Sequence, residues 1–293
     1  MNAALDLEIT TPAQYSIQDH WITLDGARMR YLRDGRGPAL LLVHGLLGYS
    51  FSWRYAIPAL APLASVHAVD MLGVGFSDRP RDLDCSLEAS ARRLLRFLDS
   101  AAIDTCDLLG TSHGGEVCMM AAALAPERVR RLILVAPANP WSNYGKRLAA
   151  FLTHPLVAPI FSRLTPLLKP SHGYLLRRLY GDRRRVRPGT LAGYSAPFEM
   201  PGAFGYGLSV LSSWQRDLEQ LRAQLPRIAD IPTLLIWGKL DKAVDPDSSV
   251  PLSRQFRHCR VVMFDGVGHL PYEEVPEEFN RTVADFLAET QTA

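Results

Sequence analysis

Between residues 16 and 33, apolar and polar positions alternate in two runs, HWITL and ARMRYLR, separated by Asp25-Gly26. A period of two predicts strands, and Asp-Gly between them predicts a tight hairpin. The pattern then changes. Ala39-Leu-Leu-Leu-Val43 is apolar without a break, as a strand covered on both faces must be. Similar runs recur at 65–70, 107–110, 131–136, 231–237 and 260–264. Helical patterns lie between them. In 86–101, Leu87, Leu94, Leu95 and Leu98 share one side, with Arg92, Arg93 and Arg96 elsewhere, and Ser86 with Glu88 marks the start. Residues 113–125 predict a helix of small side chains, and 276–290 an amphipathic one. Strands alternating with helices imply a mostly parallel sheet with helices on both faces.

The alternation stops between 137 and 227. This stretch is rich in proline and has helical pieces but no buried-strand pattern. It reads as a helical insertion, a cap over the sheet's carboxyl edge, leaving 1–136 and 228–293 as the core domain. From 140 to 200 it carries ten Lys and Arg against only Asp182 and Glu199. Between Arg147 and Arg163 lies LAAFLTHPLVAPIFS, uncharged and largely apolar. Phe151, Leu152 and Phe161 are therefore candidates for an apolar substrate pocket, or for contact of the cap with a lipid surface. Packing of a lid helix on the core is the plainer account of the same stripe.

Composition narrows the function classes. The chain of 293 residues is 47% hydrophobic and 21% charged, ordinary for a globular protein. A formal charge of +2, with no basic and aromatic residues interleaved, argues against a nucleic-acid partner. Cys85, Cys106, Cys118 and Cys259 fit neither a metal-site spacing nor a disulfide framework, and Cys106 and Cys118 read as buried thiols. The N-terminus lacks a basic start followed by an apolar stretch, and no uncharged apolar segment approaches the roughly 20 residues of a membrane span. The expected location is the cytoplasm.

The strongest chemical signal is Gly110-Thr-Ser112-His-Gly114-Gly, after the run CDLLG and before a helix. Glycines at 110 and 114 allow a turn too tight for side chains, which lifts the Ser112 hydroxyl clear of the sheet. A hydroxyl needs a base to become a useful nucleophile. His269 follows the run RVVMF in a glycine-rich loop, at the carboxyl end of a strand, where open α/β sheets place their sites. His20, His67 and His258 lie in strands or helix ends and read as structural. Asp241, in WGKLD, is the acid that would orient the base, while Asp245 and Asp247 flank Pro246 and read as turn residues. In His44-Gly-Leu46-Leu-Gly48 the loop can aim the Leu46 N–H at a reacting oxygen. The N–H of His113 supplies a second donor, and such donors are worth roughly 3 kcal/mol of barrier each. This machinery needs no cofactor and no metal.

From about residue 20 onward the chain resembles the α/β-hydrolase superfamily. The matches are HGLLG at 44–48, DMLGVGFSD at 70–78, GTSHGG at 110–115, APERVRRLILVAPA at 125–138, WGKLD at 237–241 and GHLPYEEVPEEF beginning at Gly268. The resemblance implies an eight-stranded sheet with the cap between strands six and seven. It also implies the triad Ser112, Asp241 and His269, and it leaves Asp70 and Ser77 to shape the turn after strand four. Dehalogenases and epoxide hydrolases of this superfamily use an aspartate where this chain has Ser112. The expected activity is serine-dependent cleavage of a carboxylic ester of a largely apolar small molecule. The layout Ser50-Phe-Ser-Trp53 is similar to that of carbon–carbon bond hydrolases acting on aromatic ring-cleavage products. Those usually carry a tryptophan soon after the histidine, where this chain has Leu270-Pro-Tyr272. A ligand-binding member without turnover is the alternative of a different class; such proteins often lose triad members, which this chain keeps.

Overall fold

The computed structural model describes residues 17–160, 169–200, 202 and 205–289. Eight strands form one sheet: β1 (Gln18–Leu24), β2 (Ala27–Asp34), β3 (Ala39–Val43), β4 (Ser65–Val69), β5 (Cys106–Thr111), β6 (Val129–Val135), β7 (Thr233–Gly238) and β8 (Cys259–Phe264). Their spatial order is β1-β2-β4-β3-β5-β6-β7-β8. The hairpin β1–β2 and the pair β2–β4 are antiparallel; every other pair is parallel. The hairpin turns at Asp25 and Gly26, with φ of 51° and 80°. Two consecutive residues in the left-handed region match the twist of the strands that they join.

Unbroken apolar runs became the middle of the sheet. In β3, Leu41 and Val43 face one layer while Leu40 and Leu42 face the other. The first layer holds α2 (Leu87–Ser100) and α3 (His113–Leu124), through Leu94, Phe97, Leu98, Val117 and Met120. The second holds α1 (Ala56–Leu60) and the last helix, α10 (Pro276–Glu289), through Ile57, Leu60, Phe279 and Val283. Ser86 caps α2 by accepting the Ala89 N–H at 3.4 Å. Arg93 departs from the helical pattern. It is buried, and its guanidinium donates to the Asp84 carbonyl at 2.6 Å and to Ser90. Its head finds acceptors on the helix and on the loop before it, which lets the charge be buried.

Between β6 and β7 the described residues contain α4 (Lys146–Leu152), α5 (Lys169–Leu179), α6 (Thr190–Ser195) and α7 (Gly205–Gln224). After β7 come α8 (Ser249–Ser253) and α9 (Pro271–Glu274). Among the described residues, no helix is long and apolar enough to cross a membrane. Cys85, Cys106 and Cys118 are buried free thiols, and burial pushes Cys106 up to about 12.

Candidate active site

β5 delivers the chain to Ser112, whose φ of 52° and ψ of −121° lie where side-chain-bearing residues rarely go. Such a backbone costs roughly 1–3 kcal/mol and persists only when its surroundings enforce it. The enforcement is visible. The Ser112 N–H donates to the Val135 carbonyl of β6 at 2.9 Å, and its own carbonyl accepts from Gly115 and Ala138, each at 3.0 Å. A Cβ on Gly110 would stand 2.5 Å from the Gly114 oxygen, and one on Gly114 would stand 2.3 Å from the His44 oxygen. Both glycines are thus required by backbone touching backbone. α3 begins at the next residue.

β7 and β8 end at the same edge as β5. Beyond β8, His269 is buried, and its Nδ1 lies 2.7 Å from Asp241 Oδ2. Asp241 is itself fixed: its Oδ1 accepts the N–H groups of Ala243 at 2.7 Å and Val244 at 3.1 Å. A carboxylate facing Nδ1 places the ring proton there and leaves the lone pair on Nε2. Asp245 takes the part of a turn residue, its Oδ1 accepting the Asp247 N–H at 3.1 Å.

The loop at His44–Gly48 is held by its histidine. His44 Nε2 accepts the Met71 N–H at 3.1 Å, so Nδ1 carries the proton and donates to the Gly45 carbonyl at 2.9 Å. Burial depresses the His44 pKa, which favours this neutral form. A Cβ on Gly45 would lie 3.2 Å from Ser112 Cβ, so the loop bearing Leu46 lies directly against the serine. Asp70 and Ser77 build the neighbouring turn. Asp70 accepts the N–H groups of Ser50 and Phe76 and a guanidinium hydrogen of Arg30, and Ser77 donates to the Asp70 carbonyl at 2.6 Å.

The His113 side chain is buried between α3 and the insertion. Nδ1 lies 2.6 Å from Glu116 Oε1, and Nε2 lies 3.1 Å from the Tyr206 hydroxyl of α7. The residue after Ser112 is thereby bonded to the insertion. A second tie was not foreseen in the sequence. The Glu274 carboxylate accepts the N–H groups of Gly268 at 2.7 Å, Gly181 at 3.0 Å and Asp182 at 3.2 Å, and the His269 N–H donates to the Leu179 carbonyl at 2.7 Å. The end of α5 is thus stitched to the loop bearing His269. A Cβ on Gly181 or Gly268 would stand under 3 Å from the opposite backbone. Burial pushes the Glu274 pKa up, and the three backbone donors act against that.

A third tie is ionic. Arg54 is buried with Glu273, Nη2 to Oε2 at 2.6 Å, and its guanidinium stands 4.0 Å from the centroid of the Phe51 ring. Burial alone would lower the Arg54 pKa, but the Glu273 charge outweighs it and the net shift is upward. Tyr194 from α6 donates to Glu273 at 2.8 Å, and Arg54 donates to Thr190 at 3.1 Å. Of the apolar candidates in the insertion, Phe151 is 61% exposed and Leu152 half-buried. Phe161 lies outside the described residues. Arg184 and Arg187 of the basic cluster pair at the surface with Asp182 and Glu277.

A family model for the alpha/beta hydrolase fold matches residues 38–276. The chain is 29% identical over 281 residues to the 2-hydroxymuconate semialdehyde hydrolase of Pseudomonas sp. (strain CF600), which covers 92% of this chain and 93% of that protein. It is 27% identical over 287 residues to haloalkane dehalogenase 2 of Mycobacterium bovis, covering 94% and 96%. Among solved structures, a haloalkane dehalogenase loop variant from Bradyrhizobium elkanii matches with a TM-score of 0.82 at 22% identity, over 94% of this chain and 98% of that one. This last likeness speaks for the fold alone.

Proposed function

The chain belongs to the alpha/beta hydrolase family, and within it we propose a serine hydrolase that cleaves carboxylic esters of largely apolar small molecules. One observation carries the reading. A buried, carboxylate-oriented imidazole and a serine on a strained elbow stand beyond the same edge of one sheet. Ser112 Oγ attacks the acyl carbon while His269 Nε2 takes its proton. The tetrahedral oxyanion is held by the N–H groups of Leu46 and His113. Collapse of that intermediate expels the alcohol, which receives the proton from His269. Water then repeats the sequence on the acyl-enzyme and frees the acid. Asp241 keeps the ring in the required tautomer throughout. Residues 137–227 act as the cap, roofing the acyl chain and excluding water from it.

Serine at position 112 sets this chain apart from the dehalogenases that it matches, because their chemistry needs a carboxylate there to form the alkyl ester. The similarity to a 2-hydroxymuconate semialdehyde hydrolase favours one second reading, carbon–carbon cleavage of ring-fission products at the same serine. Against it, Tyr272 stands where those enzymes place tryptophan nearby, and it is buried on Trp53, ring centroids 4.8 Å apart.

Purified protein should label with a fluorophosphonate probe, and Ser112→Ala should abolish both labelling and ester hydrolysis. Intact protein that never labels would leave a ligand-binding role instead. A panel of nitrophenyl esters beside a ring-fission dienoate separates the two hydrolytic readings. Medium-chain esters should outrun acetate, and faster turnover of the dienoate would replace the ester assignment.

A further inference from the structure

A short stretch of the insertion leaves four large apolar side chains in water. Leu148 and Phe151, three positions apart and so on one side of α4, are each 61% exposed; Leu156 and Ile160 beyond it are 75% and 61% exposed. Of this helix only Ala149 is buried. Burying a leucine or phenylalanine side chain is worth roughly 1.5–3 kcal/mol. A solvated monomer forgoes that four times over within thirteen residues. The local backbone is nonetheless fixed. Thr153 Oγ1 donates to the Ala149 carbonyl at 2.8 Å, and the Val157 and Ala158 N–H groups donate to the His154 carbonyl at 2.8 and 2.9 Å. The apolar side chains are therefore presented on a built surface.

The charge around the patch identifies what it fits. Lys146 and Arg147 open α4, and from 140 to 160 the sequence holds no Asp or Glu. A second copy of this chain would set that positive field against itself. A layer of anionic headgroups over acyl chains complements both the charge and the apolar side chains. We propose that this face docks the protein on anionic lipid bilayers, with Leu148, Phe151, Leu156 and Ile160 among the acyl chains and Lys146 and Arg147 at the level of the phosphates. The docking itself stands apart from the ester chemistry. Only its use, supplying apolar esters from the bilayer to the cap, rests on that reading.

The test is co-sedimentation of the full chain with vesicles of phosphatidylcholine alone, or with about one-third phosphatidylglycerol. The expected result is binding to the anionic vesicles at least about tenfold tighter than to the neutral ones, weakened by added salt. Leu148→Asp with Leu156→Asp should lose that binding and keep the rate on a water-soluble ester, because both side chains already face solvent. Arg147→Glu should weaken binding without touching the apolar patch. Ser112→Ala should bind like the unaltered chain, so a failed esterase assignment leaves the vesicle result intact. Absence of vesicle binding, equal binding to both vesicle types, or undiminished binding by the double variant overturns the proposal. So does a dimer in solution that the double variant takes apart, since a second copy would then be the occupant.

Discussion

Ser112 shows how a single residue's conformation is held by its neighbours. Its positive φ stores strain, and the glycines at 110 and 114 let three pieces of backbone close around it. Gly114→Ala would drive a methyl group into the carbonyls of Val43 and His44. The expected cost is about 3 kcal/mol or more, read as a lowered urea midpoint together with lost fluorophosphonate labelling. Asp241→Asn keeps the shape and loses the tautomer control, so kcat should fall by roughly ten-thousandfold while thermal stability changes little. His67 on β4 offers a test by pH. It is buried, its Nδ1 has no partner among the described residues, and burial, helped by Arg33 and His20, pushes its pKa down to about 4. In the unfolded chain the ring titrates at its ordinary 6.5, so between those values the unfolded state holds the extra proton. The contribution of His67 is therefore complete above pH 6.5 and lost as pH falls toward 4, a span worth roughly 3 kcal/mol. Urea midpoints at pH 7.5 and 4.5 should differ less in His67→Gln than in the unaltered chain. The candidate serine, aspartate and histidine stand out in the sequence because each sits in a glycine-bearing loop just past an apolar run. The Glu274 bridge does not. Adjacent acids in PYEEVPEEF look like a solvated helix start, and nothing in one dimension shows that two of them are buried.

At the scale of elements, the strands were easy to read and the insertion hard, for the same reason. Five of the strands are buried on both faces, so their sequences are mostly apolar and bounded by turns. The helices between β6 and β7 put only scattered apolar side chains into the core, Leu176, Tyr194, Tyr206, Val210 and Leu221 among them, and add polar ties: a tyrosine to a histidine, a carboxylate to backbone amides, an arginine over an aromatic ring. Such contacts leave no periodic trace. Arg93 was misplaced by the same limitation, because the helical pattern assigns charge to solvent and cannot see an available carbonyl. The stitch between α5 and the His269 loop gives the clearest prediction here. Glu274→Ala strands the N–H groups of Gly268, Gly181 and Asp182. Each buried donor left without an acceptor costs roughly 1–3 kcal/mol. Melting temperature should drop, and kcat should fall more than KM rises, because the loop loses its position before the pocket loses its walls. Equal losses in kcat and in binding would point instead to general unfolding of the insertion.

Across the whole molecule, one sheet edge gathers the candidate residues. Parallel strands β5, β7 and β8 all point the same way, so residues 112, 241 and 269 follow strands that end at one edge, although more than a hundred positions separate the first from the others. The proposed reaction uses side chains and backbone N–H groups alone. Ester hydrolysis should therefore survive prolonged treatment with a chelator, and a loss that added zinc or calcium restores would contradict the mechanism. The tie of Leu179, Gly181 and Asp182 to the histidine loop also bears on anyone who would recombine such proteins. The insertion looks like an exchangeable module in the linear sequence, yet its inner margin holds the loop that bears His269, the proposed general base. A chimera carrying a foreign roof would inherit new selectivity only if the donor segment supplied its own carbonyl and amides at those positions. Otherwise the graft would yield a well-made sheet with an idle imidazole.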